Sequence, residues 1–302
     1  MRISKYTLGS DPELFIINSK TGKVVSSVGL IPGVKDDPYK ADDMPDGFGI
    51  EIDNILAEFN IPPCYSLQEW ITNIEYMKNY IREFVKRINP DYDIKCSAYE
   101  EVDADQLQSE EAQLFGCDPD YNAYTLRTNP KPEAAGKNGR SCGMHIHFGY
   151  ENHNVQDSVR LIKYFDVYLG LVSLLYDSDK RRRSLYGRAG CFRLQPWGFE
   201  YRSLSGAMMA NKNLLTLIYN QVKSAVMAYN RNFSIPEMTL TQTAINNSDV
   251  TLARKLLKDY NISVWSPSSD DTTSPTLFGA DVTATTANMA WEDFMDYAIH
   301  RV

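Results

Sequence analysis

The sequence predicts an α+β fold, an antiparallel sheet covered by helices. Three observations carry that expectation. Short β-type runs crowd the first sixty residues, long amphipathic helices dominate after residue 210, and no regular βαβ alternation joins them. At 302 residues and 43% hydrophobic, the chain is long enough to bury a sizeable core.

The strands come first. "ELFIIN" (13–18) and "KVVSS" (23–27) flank the turn Thr21-Gly22, and "IEID" and "ILAEFN" follow a loop rich in Pro, Gly and Asp. A helix over 66–88 is expected from the capping pair Ser66 and Glu69, one apolar stripe through Trp70, Ile71, Ile74, Met77, Ile81, Phe84, Val85 and Ile88, and the stop at Asn89-Pro90. "YDIKCSAY" (92–99) reads as a strand and "DADQLQSEEAQLFG" (103–116) as a short acidic helix ended by Gly116. A polar loop over 127–141 leads into "GMHIHFG", and a second amphipathic helix runs from Asn154 to about Tyr176. "GCFRLQ" and "FEYRSL" are strands around Pro196-Trp197-Gly198, and helices are expected over 211–231, near 248–260 and near 288–300. "KRRR" (180–183) reads as a solvated basic turn, and the Ser, Asp and Thr-rich stretch near 266–287 as a mobile loop. The expected organisation is a catalytic unit over 1–235 and a helical extension over 236–302.

A formal net charge of -8 argues against duplex nucleic acid or an anionic membrane as the main partner. Five cysteines, scattered singly, outline neither a disulfide framework nor a thiolate zinc site, so a reducing cytoplasm is expected. The opening lacks a signal-peptide core, and the most apolar later run is interrupted by Asp166.

Four strand segments concentrate chemistry. In a strand, residues i and i+2 share a face, so His145 and His147 point one way while Met144, Ile146 and Phe148 point the other. The pair suits a polar cleft; it equally suits hydrogen-bonded histidines on a sheet surface. Asp11 and Glu13 repeat the spacing across Pro12, which fits a strand entrance. Glu51, Asp53 and Glu58 lie among Ile, Leu and Phe, where a carboxylate is costly unless a cation or hydrogen bonds compensate it. Glu200 and Arg202 are again i and i+2, and Arg188 and Arg193 flank a small Ala-Gly hinge. Oxygen-rich ligands with an imidazole suit Mg²⁺ or Mn²⁺, and arginines suit phosphoryl oxygens or a carboxylate. Together they point to phosphoryl transfer without a P-loop, since no G-x-x-x-x-G-K-[ST] occurs.

The ordered motifs "GSDPELF", "AEFN", "GMHIHFG" and "RSLYGRAGCFR" followed by "FEYRSLSG" resemble those of the glutamine synthetase-like carboxylate-amine ligases, most closely the phage-type COOH-NH2 ligase type 2 group. The resemblance spans residues 9–206. It implies a glutamine synthetase-like catalytic domain whose curved, mainly antiparallel sheet forms the active-site cleft. It implies ATP and two or more Mg²⁺ or Mn²⁺ ions, one held by Glu13, Glu51 and Glu58 and another by Asp11, His145 and Glu200. Glu58 and Glu200 would thereby be catalytic, with Arg188 and Arg193 on the γ-phosphoryl group, His147 and Arg193 on the nucleotide, and Arg202 on the substrate carboxylate. The implied reaction joins a small-molecule or peptide carboxylate to an amine through an acyl phosphate.

Three departures from the glutamine synthetase pattern are visible. The Glu51 to Glu58 interval is one residue short, so Asp53 is an alternative ligand to Glu51. Asp11 stands where that enzyme has a longer glutamate. The chain also opens at the catalytic strand, so a dodecamer is not implied, although an oligomer is compatible. A guanidino-type phosphotransferase on the same kind of sheet, and a phage or host-binding protein without activity, are the alternatives. If the chain is phage-encoded, the compartment is the host cytoplasm.

Overall fold

The computed structural model describes residues 2–113, 120–130, 138–235 and 237–264. Met1–Val264 forms one compact unit. The expected mobile loop near 266–287, the last helix near 288–300, Gly116 and much of the 127–141 loop lie outside the described residues.

The strands are β1 (Tyr6–Asn18), β2 (Val24–Val25), β3 (Gly49–Asp53), β4 (Leu56–Cys64), β5 (Tyr92–Lys95), β6 (Tyr99–Glu101), β7 (Tyr121–Asn122), β8 (Gly139–Ser141), β9 (Met144–Tyr150), β10 (Cys191–Gln195) and β11 (Gly198–Tyr201). The helices are α1 (Leu67–Ile88), α2 (Glu110–Gln113), α3 (Val155–Phe165), α4 (Leu171–Ser173), α5 (Lys180–Leu185), α6 (Lys212–Asn230), α7 (Met238–Asn246) and α8 (Val250–Asp259). The main sheet runs β3-β4-β1-β9-β11-β10-β7, with β2 and β5 paired to the distal part of β1. Its pairings are antiparallel, and the fold is α+β.

β1 is the centre of this sheet, and it begins seven residues earlier than the apolar run suggests. Asp11 and Glu13 therefore sit inside a strand and not at its entrance. Pro12 opposes Met144 of β9, while the β1–β4 register runs from Ser10↔Ile61 to Glu13↔Glu58, with an irregularity between Leu8 and Ser10. On the other side, Glu13 N donates to Gly143 O at 3.0 Å and the Ser10 hydroxyl donates to His145 O at 2.5 Å.

The back of the sheet is apolar. Met144, Ile146, Phe148, Phe199 and Tyr201 are fully buried, and the Phe165 ring meets Phe148, Phe199 and Tyr201 edge-on. α1 covers β4 and β5 with Trp70, Ile74, Met77, Ile81 and Val85, and the Trp70 indole donates to Leu215 O of α6 at 3.1 Å. Ser66 caps α1 by accepting from Glu69 N, while the Glu69 carboxylate accepts from Tyr65 N. α7 and α8, which follow the expected boundary at 235, pack against α4 within the compact unit. Among the described residues, no helix is long and apolar enough to cross a membrane.

Two local expectations change. The helix from Asn154 does not continue evenly to Tyr176; after α3 it widens into a π turn over Asp166–Gly170 before α4. The "KRRR" segment is the helix α5, and Arg182 and Arg183 are buried, not solvated. Arg182 donates to Cys142 O, Ser203 O and Leu204 O, and Arg183 to Ser203 O. These carbonyls lie at the ends of the ladders, where guanidinium donors satisfy them.

The π turn buries Asp166 completely behind the sheet. Its two oxygens accept from the Tyr124 and Tyr201 hydroxyls, each at 2.8 Å. Burial dominates over these hydrogen bonds and raises its pKa from 3.8 to about 6. Between those values the folded state binds more protons than the unfolded state, so the group's contribution to stability falls as pH rises, by about 3 kcal/mol in all. Asp166→Asn removes that dependence. Urea titrations should show the variant gaining on the native protein between about pH 4 and pH 7; a constant difference across that range would contradict the assignment.

Candidate functional site: two ligand clusters on one sheet face

Directly opposed residues in an antiparallel pair share a face. Glu51 and Glu13 both oppose Glu58, Asp11 opposes His145, and His147 opposes Glu200, which in turn opposes Arg193. The register therefore gathers onto one face the residues that the sequence scatters over almost two hundred positions. Of the expected residues, Arg188 stands apart: it is exposed in the turn after α5, and its Nε donates to Arg183 O at 3.3 Å.

The first cluster is purely anionic. One oxygen each from Glu13, Asp53 and Glu58 lies within 4.8 Å of the others. Asp53, the alternative considered for Glu51, thus joins this trio, while Glu51 is buried beside it on β3. Burial raises the Glu13 pKa, and Asp53 adds to the rise against the lowering effect of His145 and of the Gly143 N–H, which donates to Glu13 Oε2 at 2.6 Å. Burial likewise pushes Glu51 up to about 7; Lys35 opposes this, and Asp11, Asp53 and Asp36 reinforce it. Three hard oxygen donors within 4.8 Å of one another fit a hard divalent cation.

The second cluster already contains its counter-charges. Asp11, His147 and Glu200 place one donor atom each within 4.8 Å. The Asp11 Oδ1 atom lies 3.1 Å from both His145 Nδ1 and His147 Nε2, and His145 Nδ1 is 3.3 Å from Glu200 Oε1. His147, expected on the nucleotide side, is the imidazole of this trio, and His145 lies against the same two carboxylates. Glu200 is fully buried between Arg202, whose Nη1 donates to Oε1, and Arg193 at 3.4 Å from Oε2. Burial raises the Asp11 pKa, but the two imidazoles outweigh it and hold the group well below the usual carboxylate range. Glu200 is lowered too, with Arg202 and the imidazoles overcoming burial and Asp11. His147 is raised, because Asp11 and Glu200 outweigh its desolvation.

Gly143 is required by this geometry, since a Cβ there would sit 2.7 Å from His145 Nε2. Sequence reasoning missed three neighbours. Asp120 Oδ1 lies 3.6 Å from Arg202 Nε, Gln195 Nε2 donates to Glu200 Oε2 at 3.4 Å, and the Trp197 ring stands 5.2 Å from that of His147. Gln195 was legible in principle, being i+2 from Arg193 on β10. Asp120 comes from a separate polar segment with no periodicity to mark it.

A family model, the phage phiEco32-like COOH.NH2 ligase-type 2, matches residues 134–266. This is the family that the ordered motifs resemble, and the match holds the histidine strand, the arginine segment and Glu200 with Arg202. The family's name is that of carboxylate-amine ligases, enzymes that join a carboxylate to an amine. No curated protein matches the chain.

The raised carboxyls give the anionic cluster a distinct response to metal. Glu51, raised to about 7, holds a proton near neutrality that a divalent cation beside it displaces, so Mn²⁺ affinity should rise between about pH 6 and pH 8 and binding should release protons. Calorimetry in buffers of differing ionisation enthalpy reads this directly. Glu51→Gln should flatten the pH dependence; equal slopes in both proteins would contradict the linkage.

Proposed function

We propose that the chain is an ATP-dependent carboxylate-amine ligase working through an acyl phosphate on a glutamine synthetase-like sheet. The observation that carries this reading is the pair of ligand clusters side by side on one sheet face, with Arg193 and Arg202 against the second. The family match supports the ligase class.

Glu13, Glu58 and Asp53, with Glu51 beside them, would hold one Mg²⁺ or Mn²⁺ ion; Asp11, Glu200 and the His145 and His147 imidazoles would hold a second. When bound, such ions neutralise phosphate charge and polarise the transferring phosphoryl group. The chain's own side chains do the rest. Arg193 stabilises charge on the phosphoryl oxygens, and the resemblance assigns Arg188 to the same group. His147 lines the nucleotide side. Arg202, held by Glu200 and near Asp120, orients the substrate carboxylate. A carboxylate oxygen takes the γ-phosphoryl group and ADP leaves. The amine nitrogen then forms the C–N bond as the acyl C–O bond breaks, releasing phosphate and the amine proton.

The substrates are a small-molecule or peptide carboxylate and amine, used in the cytoplasm. The purified protein with ATP, Mg²⁺ and panels of carboxylates and amines should release phosphate in step with amide formation, read by mass spectrometry. Glu13→Gln and Glu200→Gln should each lower the rate by about 100-fold or more while retaining the native circular dichroism spectrum. Nucleotide turnover that yields a stable N-phosphorylated product and no amide would replace the ligase reading with a guanidino-type phosphotransferase. No nucleotide binding at all would end both.

A further inference from the structure

The face that carries the two clusters continues by one more row of the sheet. Along β9 its residues are His145, His147 and Gly149, and each has cross-strand partners: Asp11 opposes His145, Glu200 opposes His147, and Thr7 and Gly198 both oppose Gly149. Gly198 in turn opposes Gln195 of β10. The last row is therefore Thr7, Gly149, Gly198 and Gln195, and its two middle positions carry no side chain. Four strand residues, about 13 Å, separate it from the row of His145.

This bare row has a wall. Trp197, in the turn between β10 and β11, stands over it: a Cβ at Gly149 would lie 3.8 Å from Trp197 Cε3 and 3.6 Å from Trp197 O. The same ring leans on His147, with centroids 5.2 Å apart and planes inclined at 42°. Its backbone is fixed, because Trp197 O accepts from Tyr150 N at 3.1 Å and the Gln195–Gly198 pair closes the hairpin. Trp197 nevertheless remains 38% exposed.

A tryptophan anchored at its backbone, touching an imidazole and otherwise open above a strip without side chains, leaves a large apolar ring in water beside an empty shelf. Burying that ring is favourable, and a flat aromatic partner buries most of it at once. Nucleobases suit such a surface, since every base offers a π-face whatever its edge carries. The position selects the partner. His147 belongs to the second ligand cluster, on which the triphosphate lies in the proposed function. The shelf lies on the far side of His147 from the His145 row, and a triphosphate with its ribose bridges a span of this size.

We propose that Trp197 is the residue on which the nucleotide base stacks, with Gly149 and Gly198 as the floor of the base slot. The inference rests on the nucleotide role in the proposed function. Calorimetric titrations of the full chain with Mg²⁺-ATP and with Mg²⁺-tripolyphosphate, which has no base, test it without carboxylate or amine. Trp197→Ala should weaken ATP binding about tenfold, and Trp197→Phe, which keeps an aromatic face, should stay within about threefold of the native protein. Tripolyphosphate should bind the native protein and Trp197→Ala alike. The stacking assignment is overturned if Trp197→Ala keeps native ATP affinity, if Trp197→Phe is as weak as Trp197→Ala, or if tripolyphosphate is weakened by the same factor as ATP. In each of these cases ATP still binds the native protein and its nucleotide role stands. A native protein that binds no ATP removes that role, and the base slot with it.

Discussion

Carboxylates buried on the polar face of a central strand are tolerable only when something offsets their charge, and most of this architecture follows from how that is done. The face divides into unequal halves. Around Asp11 and Glu200 the protein supplies imidazole and guanidinium partners of its own, which hold these carboxyls below their usual range. Around Glu13 and Glu51 burial outweighs the nearby His145, Arg182 and Lys35, and both carboxyls are raised. One half holds its carboxylates low in pKa, the other holds them high.

Holding that face in register falls to groups that touch no ligand. Arg182 and Arg183 bridge the carbonyls of Cys142, Ser203 and Leu204, tying the start of the histidine strand to the chain just beyond Arg202. Gly143 lets the His145 ring lie close against the backbone. Behind the sheet, Asp166 joins Tyr201 of β11 to Tyr124 of the segment that follows Asp120. The π turn that presents Asp166 thereby couples the back of the sheet to the neighbourhood of Arg202. Burying an acid there lowers stability near neutrality, a cost that fixes the position of two tyrosines.

The family match begins after the acidic cluster. Residues 134–266 hold His145, His147, Arg188, Arg193, Glu200 and Arg202, whereas Asp11, Glu13, Glu51, Asp53 and Glu58 precede it. The two regions nevertheless build one face, because β1 pairs with β4 on one side and β9 on the other.

Local pattern was enough to show the chemistry of the strands. The two-residue spacing of His145 and His147, of Asp11 and Glu13, and of Glu200 and Arg202 is a property of extended backbone, and so is the apolar alternation behind it. Helix α1 was equally plain, since its stripe and Ser66 cap are contained in one segment. Other features depend on distant partners. Whether Asp53 or Glu51 faces Glu58 and Glu13 is decided by cross-strand packing, and the burial of Arg182 and Arg183 by strand-end carbonyls up to forty positions away. A run of arginines looks the same in sequence whether water or carbonyl oxygens satisfy it. The side-chain types were thus set by the chain itself, while their pairing of charge was decided only when β1, β4, β9 and β11 came together, because desolvation and hydrogen bonding are properties of neighbours in space.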